Sequence, residues 1–182
     1  MTRITKNIWI ALAALALAVG CAHAPRSQED AKSLEQQADE ALASLTQEDP
    51  TLQTVLAQSE GYVVFPRVRE GAFIAGATSG VGVVYEGDRP IGYAELDGGS
   101  FGAQVGGQSY TQLIVFRSSD AFERFKLDNF DLSADVSATA IRSGSAASAT
   151  FEGGTAVFID DEDGLMAEAS VGGQSLRFEP RR

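Results

Sequence analysis

Glycine is concentrated in the middle of the chain. Twelve of the 19 glycines lie between residues 61 and 110, where they alternate with apolar runs such as YVVF, VGVVY and IGYAEL. A helix interior does not tolerate this density, because each glycine there costs up to about 1 kcal/mol, whereas twisted and bulged strands accept it. The pattern predicts strands from Gly61 onward and a different kind of structure before it.

Several further stretches predict the remaining strands and the turns between them. TQLIVF, at residues 111–116, predicts a central strand, and four later strands are predicted at residues 134–140, 154–160, 164–171 and 174–179. Charged residues combined with glycine predict turns at residues 69–71, 86–88 and 97–99. Short strands with turn-sized gaps predict an α+β domain with a largely antiparallel, glycine-rich sheet.

Two helices are predicted before the sheet, and one after its central strands. Ser27 and Asp30 form a candidate helix cap, and they precede apolar residues at three- and four-residue steps: Ala31, Leu34, Ala38, Leu42 and Leu45. Asp49 and Pro50 are predicted as the N-cap and first residue of a second helix. The segment SSDAFERFKL, at residues 118–127, predicts the third helix, with its phenylalanines on one face.

The first 20 residues have the pattern of a signal peptide. A short basic segment, MTRITKN, precedes the apolar stretch IWIALAALALAV, which is long enough for a signal-peptide core and short for a membrane span. The stretch ends at Ala18-Val19-Gly20-Cys21, which resembles the lipobox of bacterial lipoproteins, with alanine where leucine is usual. We expect cleavage between Gly20 and Cys21 and acylation of Cys21, the only cysteine. An ordinary secretory signal is the alternative.

This leader predicts the location of the protein and the organisation of the chain. Acyl chains contribute about 0.8 kcal/mol per buried methylene, so two or three of them would hold the protein on a membrane. Ala22 is not the aspartate that retains many enterobacterial lipoproteins at the inner membrane, so we expect an exported lipoprotein that faces the periplasm, with the outer membrane favoured. The predicted parts are a signal peptide (1–20), a lipidated cysteine and tether (21–26), N-terminal helices (27–60) and a β-rich domain (61–182).

The charge of the chain is strongly acidic. The formal net charge is −11, and because the first 20 residues contain only the basic Arg3 and Lys6, the remainder stands at −13. Nucleic-acid binding needs clustered cations, so a nucleic-acid partner is not predicted. A uniformly anionic membrane surface would also repel such a domain. Attachment to lipid must therefore depend on something other than overall charge.

The sequence lacks the residues of the common catalytic and metal centres. The only histidine is His23, in the predicted tether, which argues against a Ser-His-acid triad, a Cys-His pair and a histidine-ligated metal in the folded domain. The acidic run at residues 160–164 does not fit the register of a calcium-binding EF-hand loop, and we interpret it as a hairpin turn. No spacing singles out a catalytic pair of carboxylates. We therefore predict no enzyme activity, no cofactor and no metal.

The pentapeptide VGGQS occurs twice, at residues 105–109 and 171–175. Each copy precedes an apolar run, so its glycines are predicted to allow a bulge or a tight bend, and its glutamine to satisfy backbone groups there. The recurrence indicates two related β-units and not a catalytic loop. The residues of this structural repeat are Gly106, Gly107, Gln108, Gly172, Gly173 and Gln174.

The chain from residue 61 to residue 180 resembles the SYLF domain, a module also found in yeast and animal actin-patch proteins. The likeness is carried by GYVVFP, EGAFIAGATSGVGVVYE, IGYAEL, GGSFGAQVGGQSYTQLIVF, DAFERFK and GLMAEASVGGQSLRFEP. The resemblance implies a non-enzymatic domain that binds phospholipid, and in eukaryotic members phosphoinositides and sometimes actin filaments. It also agrees with the leader, because bacterial members are commonly exported lipoproteins.

These observations lead to one expected function and one alternative. We expect a lipid-anchored envelope protein whose domain contacts phospholipid, with four basic candidates for headgroup binding: Arg67, Arg69, Arg124 and Lys126. Arg67 and Arg69 are two residues apart and so lie on one face of a strand. The simpler account of all four is a solvated charge or surface ion pair. The alternative function is a structural lipoprotein that binds another envelope protein without a lipid pocket.

Overall fold

The computed structural model describes residues 23–72, 75–101, 106–127, 130–132, 138–141, 144–160 and 173–181. The described helices are α1 (Gln28–Glu48), α2 (Leu52–Ala57), α3 (Ser119–Leu127) and a short 3₁₀ segment (Ala146–Ser148). The strands are β1 (Gly61–Ala72), β2 (Ala75–Glu86), β3 (Arg89–Phe101), β4 (Gly106–Phe116), β5 (Phe130–Asp131), β6 (Ala138–Ala140), β7 (Thr155–Asp160) and β8 (Gln174–Pro180). The predicted α+β class, with N-terminal helices and one helix after the central strands, is confirmed.

The strands form one sheet in the order β5-β8-β3-β2-β1-β4-β7-β6. All neighbouring pairs are antiparallel except β6 and β7, which are parallel. Because β1 ends where β2 begins, and β3 ends where β4 begins, both connections lie at the same end of the sheet, which we call the hairpin end. β8 also starts there, since Gln174 pairs with Gly98.

Helices α1 and α2 pack on one face of the sheet, which we call the outer face. Ser27 caps α1, because its hydroxyl accepts the Asp30 amide at 3.1 Å. The apolar stripe predicted for this helix lies against the sheet, with Ala38 and Leu45 fully buried and the rest half-buried. Its partners on the strands include Tyr62, Val64, Val83, Leu113 and Val115.

The inner face is filled mainly by phenylalanine. Phe116 stacks on Phe125 with ring centroids 5.1 Å apart, and Phe122, Phe130 and Phe178 surround this pair. Helix α3 supplies Phe122 and Phe125, as its predicted apolar face requires. Glycines on the strands make room for the rings: a Cβ on Gly61 would overlap Phe122, one on Gly82 would overlap Phe65, and one on Gly92 would overlap Phe178.

Two of the three predicted turns are wrong. Residues 69–71 lie inside β1 and residues 97–99 lie inside β3, whereas the turn predicted at residues 86–88 is confirmed, with Gly87 at φ +60°. Gly71 and Gly98 continue their strands in regular register, with open space beside Gly71 and with Gln174 and Thr78 beside Gly98, so glycine is a poor turn signal in this sheet.

The second helix begins two residues later than predicted, at Leu52, and Asp49 connects three segments of the fold. The Asp49 backbone caps the end of α1, and its fully buried carboxylate accepts hydrogen bonds from Thr51, Gly144, Ser145 and Ala146. One side chain therefore joins α1, α2 and the 3₁₀ segment. Burial raises the pKa of Asp49, but these hydrogen bonds outweigh it and lower the pKa to about 2.

Candidate functional site

The two VGGQS copies lie at matching positions on two parallel-running strands. The first copy leads β4 and the second leads β8, and these strands flank β1, β2 and β3 in the sheet. Cross-strand pairing places the two serines in one continuous row across five strands, which we call the polar row: Ser109, Arg69, Ser79, Asp97 and Ser175. Because side chains alternate along each strand, this row belongs to the outer face, beyond the area that α1 covers.

The copies differ in backbone shape. Gly106 and Gly107 pair with Ala72 and Gly71 in regular antiparallel register, so the predicted bulge or bend is absent from the first copy. In the second copy, Gly173 has φ +84° and begins β8 from a turn, as predicted for a bend. Gly172 lies outside the described residues. The motif therefore marks a strand start at both positions but a tight bend at one.

Gln174, the glutamine of the second copy, joins two strands that are not neighbours in the sheet, which shows that the sheet is curled. The Gln112 amide on β4 donates to the side-chain carbonyl of Gln174 on β8 at 2.9 Å, and Gln174 donates to the Tyr110 hydroxyl at 3.3 Å. Three strands separate β4 from β8 in the sheet order, so this contact requires the inner faces of the two strands to meet. Gln112 is fully buried, and its Oε1 atom has no hydrogen-bond partner among the described residues.

A bulge in β1 lies next to two exposed arginines of this strand. The register shifts by one residue between Phe65 and Val68, at Pro66, which has no amide hydrogen to offer a neighbouring strand. Arg67 and Arg69 are both exposed. Their guanidinium groups make no hydrogen bond or ion pair with any residue that the structure describes.

An open depression of about 220 Å³ lies beside the bulge. Its lining combines a cation, hydroxyl groups and one acid, from Pro66, Arg67, Ser109, Tyr110, Thr111 and Asp160. The Thr111 hydroxyl also approaches the Pro66 carbonyl at 3.4 Å, which holds the bulge against β4. A guanidinium beside hydroxyl donors is a chemical match for a phosphate oxygen.

The other two basic candidates lie elsewhere and have partners. Arg124 and Lys126 are on α3, which packs on the inner face, so the structure separates them from Arg67 and Arg69. Lys126 pairs with Glu123 at 2.7 Å and lies over the Phe122 ring, and Arg124 donates to the Asp120 carbonyl at 3.3 Å. Nearby Leu127 is the most exposed large apolar side chain of the described residues, at 76 %. Of the four candidates, Arg67 and Arg69 are therefore the two without a partner among the described residues.

The segment predicted as a tether is built into the fold from Ala24 onward. The Ala24 amide donates to Glu95 Oε1 at 2.7 Å, and the other carboxylate oxygen of Glu95 pairs with Arg177 at 3.0 Å. Residues 23–26, with Asp30, Leu34 and Val81, line an open depression of about 600 Å³ on the outer face. Only residues 21 and 22 of the predicted tether remain outside the described part of the chain.

The described residues contain no group of histidine, cysteine, aspartate and glutamate side chains that would hold a metal ion. None of the described helices is long and apolar enough to cross a membrane. Gly20 and Cys21 lie outside the described residues. The buried acids of the described part, Asp49 and Glu95, are occupied in joining segments of the fold.

Sequence reasoning identified the arginines but missed their hydroxyl neighbours. Ser79 belongs to β2, and Ser109 and Thr111 belong to β4, so only the pairing register brings them beside Arg67 and Arg69. One signal was present: the serine of each VGGQS copy is one of the two ends of the polar row. The roles of Glu95 and Arg177 had no local signal, because the three residues of that contact are spread over residues 24–177.

Two comparisons with known proteins agree with this architecture. Residues 97–181 match the Ysc84 family, described as Las17-binding protein actin regulator, which is the family of the SYLF domain. Over 153 residues the chain is 27 % identical to Beta cell expansion factor A of Aeromonas veronii, a match that covers 82 % of this chain and 58 % of that protein. The chain thus spans little more than half the length of this curated relative.

The matched region contains the last five residues of β3 and all of β4, α3 and β8, so it includes both strands that begin in the VGGQS copies. It therefore includes three residues of the polar row, Asp97, Ser109 and Ser175, and also the hydrogen bond between Gln112 and Gln174. Over residues 97–181, this chain therefore matches the model of the SYLF-domain family.

Proposed function

We propose that this chain is a lipid-anchored envelope protein whose SYLF domain binds phospholipid without catalysing a reaction. The observation that carries the proposal is the pair of exposed arginines, Arg67 and Arg69, which have no partner among the described residues and lie beside the hydroxyl groups of the polar row. Arginine binds phosphate oxygens through paired N–H donors, and serine hydroxyls add further donors. The chemistry shared by all phospholipid headgroups is this phosphate.

The acidic charge of the domain limits where such binding is possible. At physiological ionic strength, exposed charges separated by more than about 8 Å are largely screened, so a local basic site acts on a headgroup only at close range. A basic residue near an anionic bilayer contributes about 1 kcal/mol. Two arginines therefore give weak binding, which is sufficient when an acyl chain on Cys21 already holds the domain at the membrane. In this proposal the protein is exported, faces the periplasm and is favoured at the outer membrane.

The domain interaction is tested by flotation with liposomes, using a chain that starts at residue 22 and so lacks the cysteine. We expect binding that weakens roughly 30-fold in the double variant Arg67→Gln/Arg69→Gln, since two contacts of about 1 kcal/mol are lost. The matched control is Arg124→Gln/Lys126→Gln, which removes the same charge from α3 and should change binding little. No binding to liposomes of any headgroup composition would disprove the lipid-binding function and favour an envelope protein as the partner.

The anchor is tested separately in cells. Cys21→Ala should move the protein from the membrane fraction to the soluble periplasmic fraction, because no acyl chain can then be attached. Mass spectrometry of the wild-type protein should show a chain that begins at Cys21 and carries acyl groups. A Cys21→Ala protein that stays in the membrane fraction would contradict the lipoprotein assignment.

A further inference from the structure

The depression beside the bulge of β1 contains one group of each charge. Three neighbouring strands form it, because β4 pairs with β1 on one side and with β7 on the other. Thr111 on β4 lies between the two sides: its hydroxyl approaches the Pro66 carbonyl of the bulge, and its Cα partner on β7 is Asp160. Arg67 and Asp160 therefore line the depression from opposite sides of Thr111.

The two charged groups are close together but do not pair with each other. Adjacent strands lie about 4.8 Å apart, so the backbones of β1 and β7 are at most about 10 Å apart across β4. Arg67 is exposed and Asp160 is half-buried, and among the described residues no ion pair joins the guanidinium to the carboxylate. A ligand that carries both charges can therefore lie between them.

A phosphate and an ammonium group in one ligand would satisfy both sides of the depression. Guanidinium and hydroxyl groups donate hydrogen bonds to phosphate oxygens, and Arg67, Ser109 and Thr111 supply these groups. An ionised carboxylate only accepts hydrogen bonds, at about four positions on its two oxygens, and an ammonium group only donates them. Asp160 can thus accept from an ammonium group while it keeps the contact that it already makes.

The lining also distinguishes a primary ammonium group from a quaternary one. A trimethylammonium group has no N–H to donate, and proteins bind it in cages of several aromatic rings. Tyr110 is the only aromatic residue among the described residues that line the depression. The chemistry of the lining therefore matches ethanolamine better than choline.

We propose that this depression binds the phosphoethanolamine headgroup of a phospholipid, with the phosphate at Arg67 and the hydroxyl groups and the ammonium at Asp160. The inference rests on the proposed phospholipid-binding function and names the headgroup. It also fits the net charge of −13 after residue 20, because zwitterionic lipid lacks the negative surface potential that repels an acidic domain. Soluble glycerophosphoethanolamine carries the same group, so the experiments must separate the two sources.

Two soluble diesters provide the first test: glycerophosphoethanolamine and glycerophosphocholine, which share the phosphate and the net charge and differ in their N–H donors. Ligand-detected NMR on the full chain, purified in an uncharged detergent, measures the Kd of each diester. We expect the ethanolamine diester to bind roughly two- to fivefold more tightly, the range that corresponds to one exposed ion pair. Equal binding, or tighter binding of the choline diester, would overturn the proposal.

Variants then locate the ammonium group. Asp160→Asn should weaken the binding of the ethanolamine diester to the level of the choline diester, because the charged acceptor is lost. The matched control is Asp88→Asn, which removes one exposed aspartate charge from the turn between β2 and β3 and should preserve the preference. A preference that survives in folded Asp160→Asn protein would overturn the assignment. If this variant does not fold, as judged by circular dichroism, the comparison of the two diesters on the unchanged chain decides.

Liposome flotation with the chain that starts at residue 22 separates the two sources and the two possible failures. We expect vesicles that contain phosphatidylethanolamine to bind more protein than vesicles of phosphatidylcholine alone. Discrimination between the soluble diesters without discrimination between the vesicles would overturn a lipid as the source of the group. Binding to no vesicle of any headgroup composition would disprove the proposed function itself, whereas equal binding to both vesicles and to both diesters would overturn this inference alone.

Discussion

The outer and inner faces of the sheet are both covered by helices, but different interactions hold the helices in place. On the outer face, α1 combines an apolar stripe with hydrogen bonds at its margins, such as Tyr85 to Asp39 at 2.8 Å and Tyr93 to Glu35 at 2.9 Å. On the inner face, α3 packs by phenylalanine rings that reach strand glycines. The packing of α1 on the outer face is therefore stabilised by polar contacts and sensitive to pH. The packing of α3 on the inner face requires strand positions that carry no side chain.

The largest expected effect on stability comes from Asp49, whose carboxylate connects α1, α2 and the 3₁₀ segment beside the outer face. Asp49→Ala removes the acceptor for the amides of Gly144 and Ala146 and for the Thr51 hydroxyl. We expect the free energy of unfolding to fall by about 3–4 kcal/mol, since hydrogen bonds to a charged group are strong and the buried donors lose their partner. Chemical denaturation measures the change, and a loss below about 1 kcal/mol would show that water readily replaces the hydrogen bonds of the Asp49 carboxylate.

The same residue predicts how stability responds to acid. The pKa of Asp49 is about 2 in the folded protein and 3.8 for an ordinary aspartate, so the folded state binds fewer protons between these values. The associated stability, about 2 kcal/mol, is fully present above about pH 4 and is lost as pH falls toward 2. Asp49→Asn lacks this titration, so its unfolding free energy should change less than that of the wild type between pH 4 and pH 2.

The next largest effect concerns the inner face, which has no room for an added methyl group at Gly82. A Cβ on Gly82 would lie 2.8 Å from the Phe65 ring and 2.8 Å from the Val64 carbonyl oxygen, so backbone as well as side chain would have to move. We expect Gly82→Ala to cost about 2–3 kcal/mol by overpacking. Gly71→Ala is the control, because nothing lies within 4 Å of a Cβ there, and it should change stability by less than about 0.5 kcal/mol. Equal effects at both glycines would refute the packing role of the inner-face glycines.

The two faces also differ in how much of them the sequence predicts. The stripe of α1 and its Ser27 cap follow from local spacing and hydrogen bonding, and both predictions are confirmed. The curl of the sheet depends on which glycines face rings from distant segments, as with Gly92 and Phe178. Such pairings are long-range, and no local pattern distinguishes these glycines, or the strand residues Gly71 and Gly98, from the glycines of turns.

The candidate site shows the same limit. Alternation along a strand was enough to predict that Arg67 and Arg69 share a face. The register between five strands decides which hydroxyl groups join them, and one residue of slip would place those groups on the other face. The bulge at Pro66 and the contact between Ala24 and Glu95 add two further long-range constraints that no local pattern encodes.

The smallest expected effect on stability concerns Tyr85, at the edge of the contact between α1 and the outer face. Tyr85→Phe removes the hydrogen bond to Asp39 but keeps the ring that stacks on Tyr62 at 5.0 Å, so we expect a loss of about 1 kcal/mol.

Burial, and then the contact with Asp39, raises the pKa of Tyr85, and burial raises the pKa of Tyr62 to about 12. Because unfolded tyrosine ionises near pH 10, these groups stabilise the fold below that pH, and the stabilisation is lost as pH rises above it. Tyr85→Phe should therefore reduce the loss of stability between pH 9 and pH 11, as measured by urea denaturation. The Tyr62 hydroxyl makes no hydrogen bond with the described residues, so Tyr62→Phe should cost less at neutral pH. A larger cost for Tyr62→Phe would show that the hydrogen bond to Asp39 adds little to the stability of this edge.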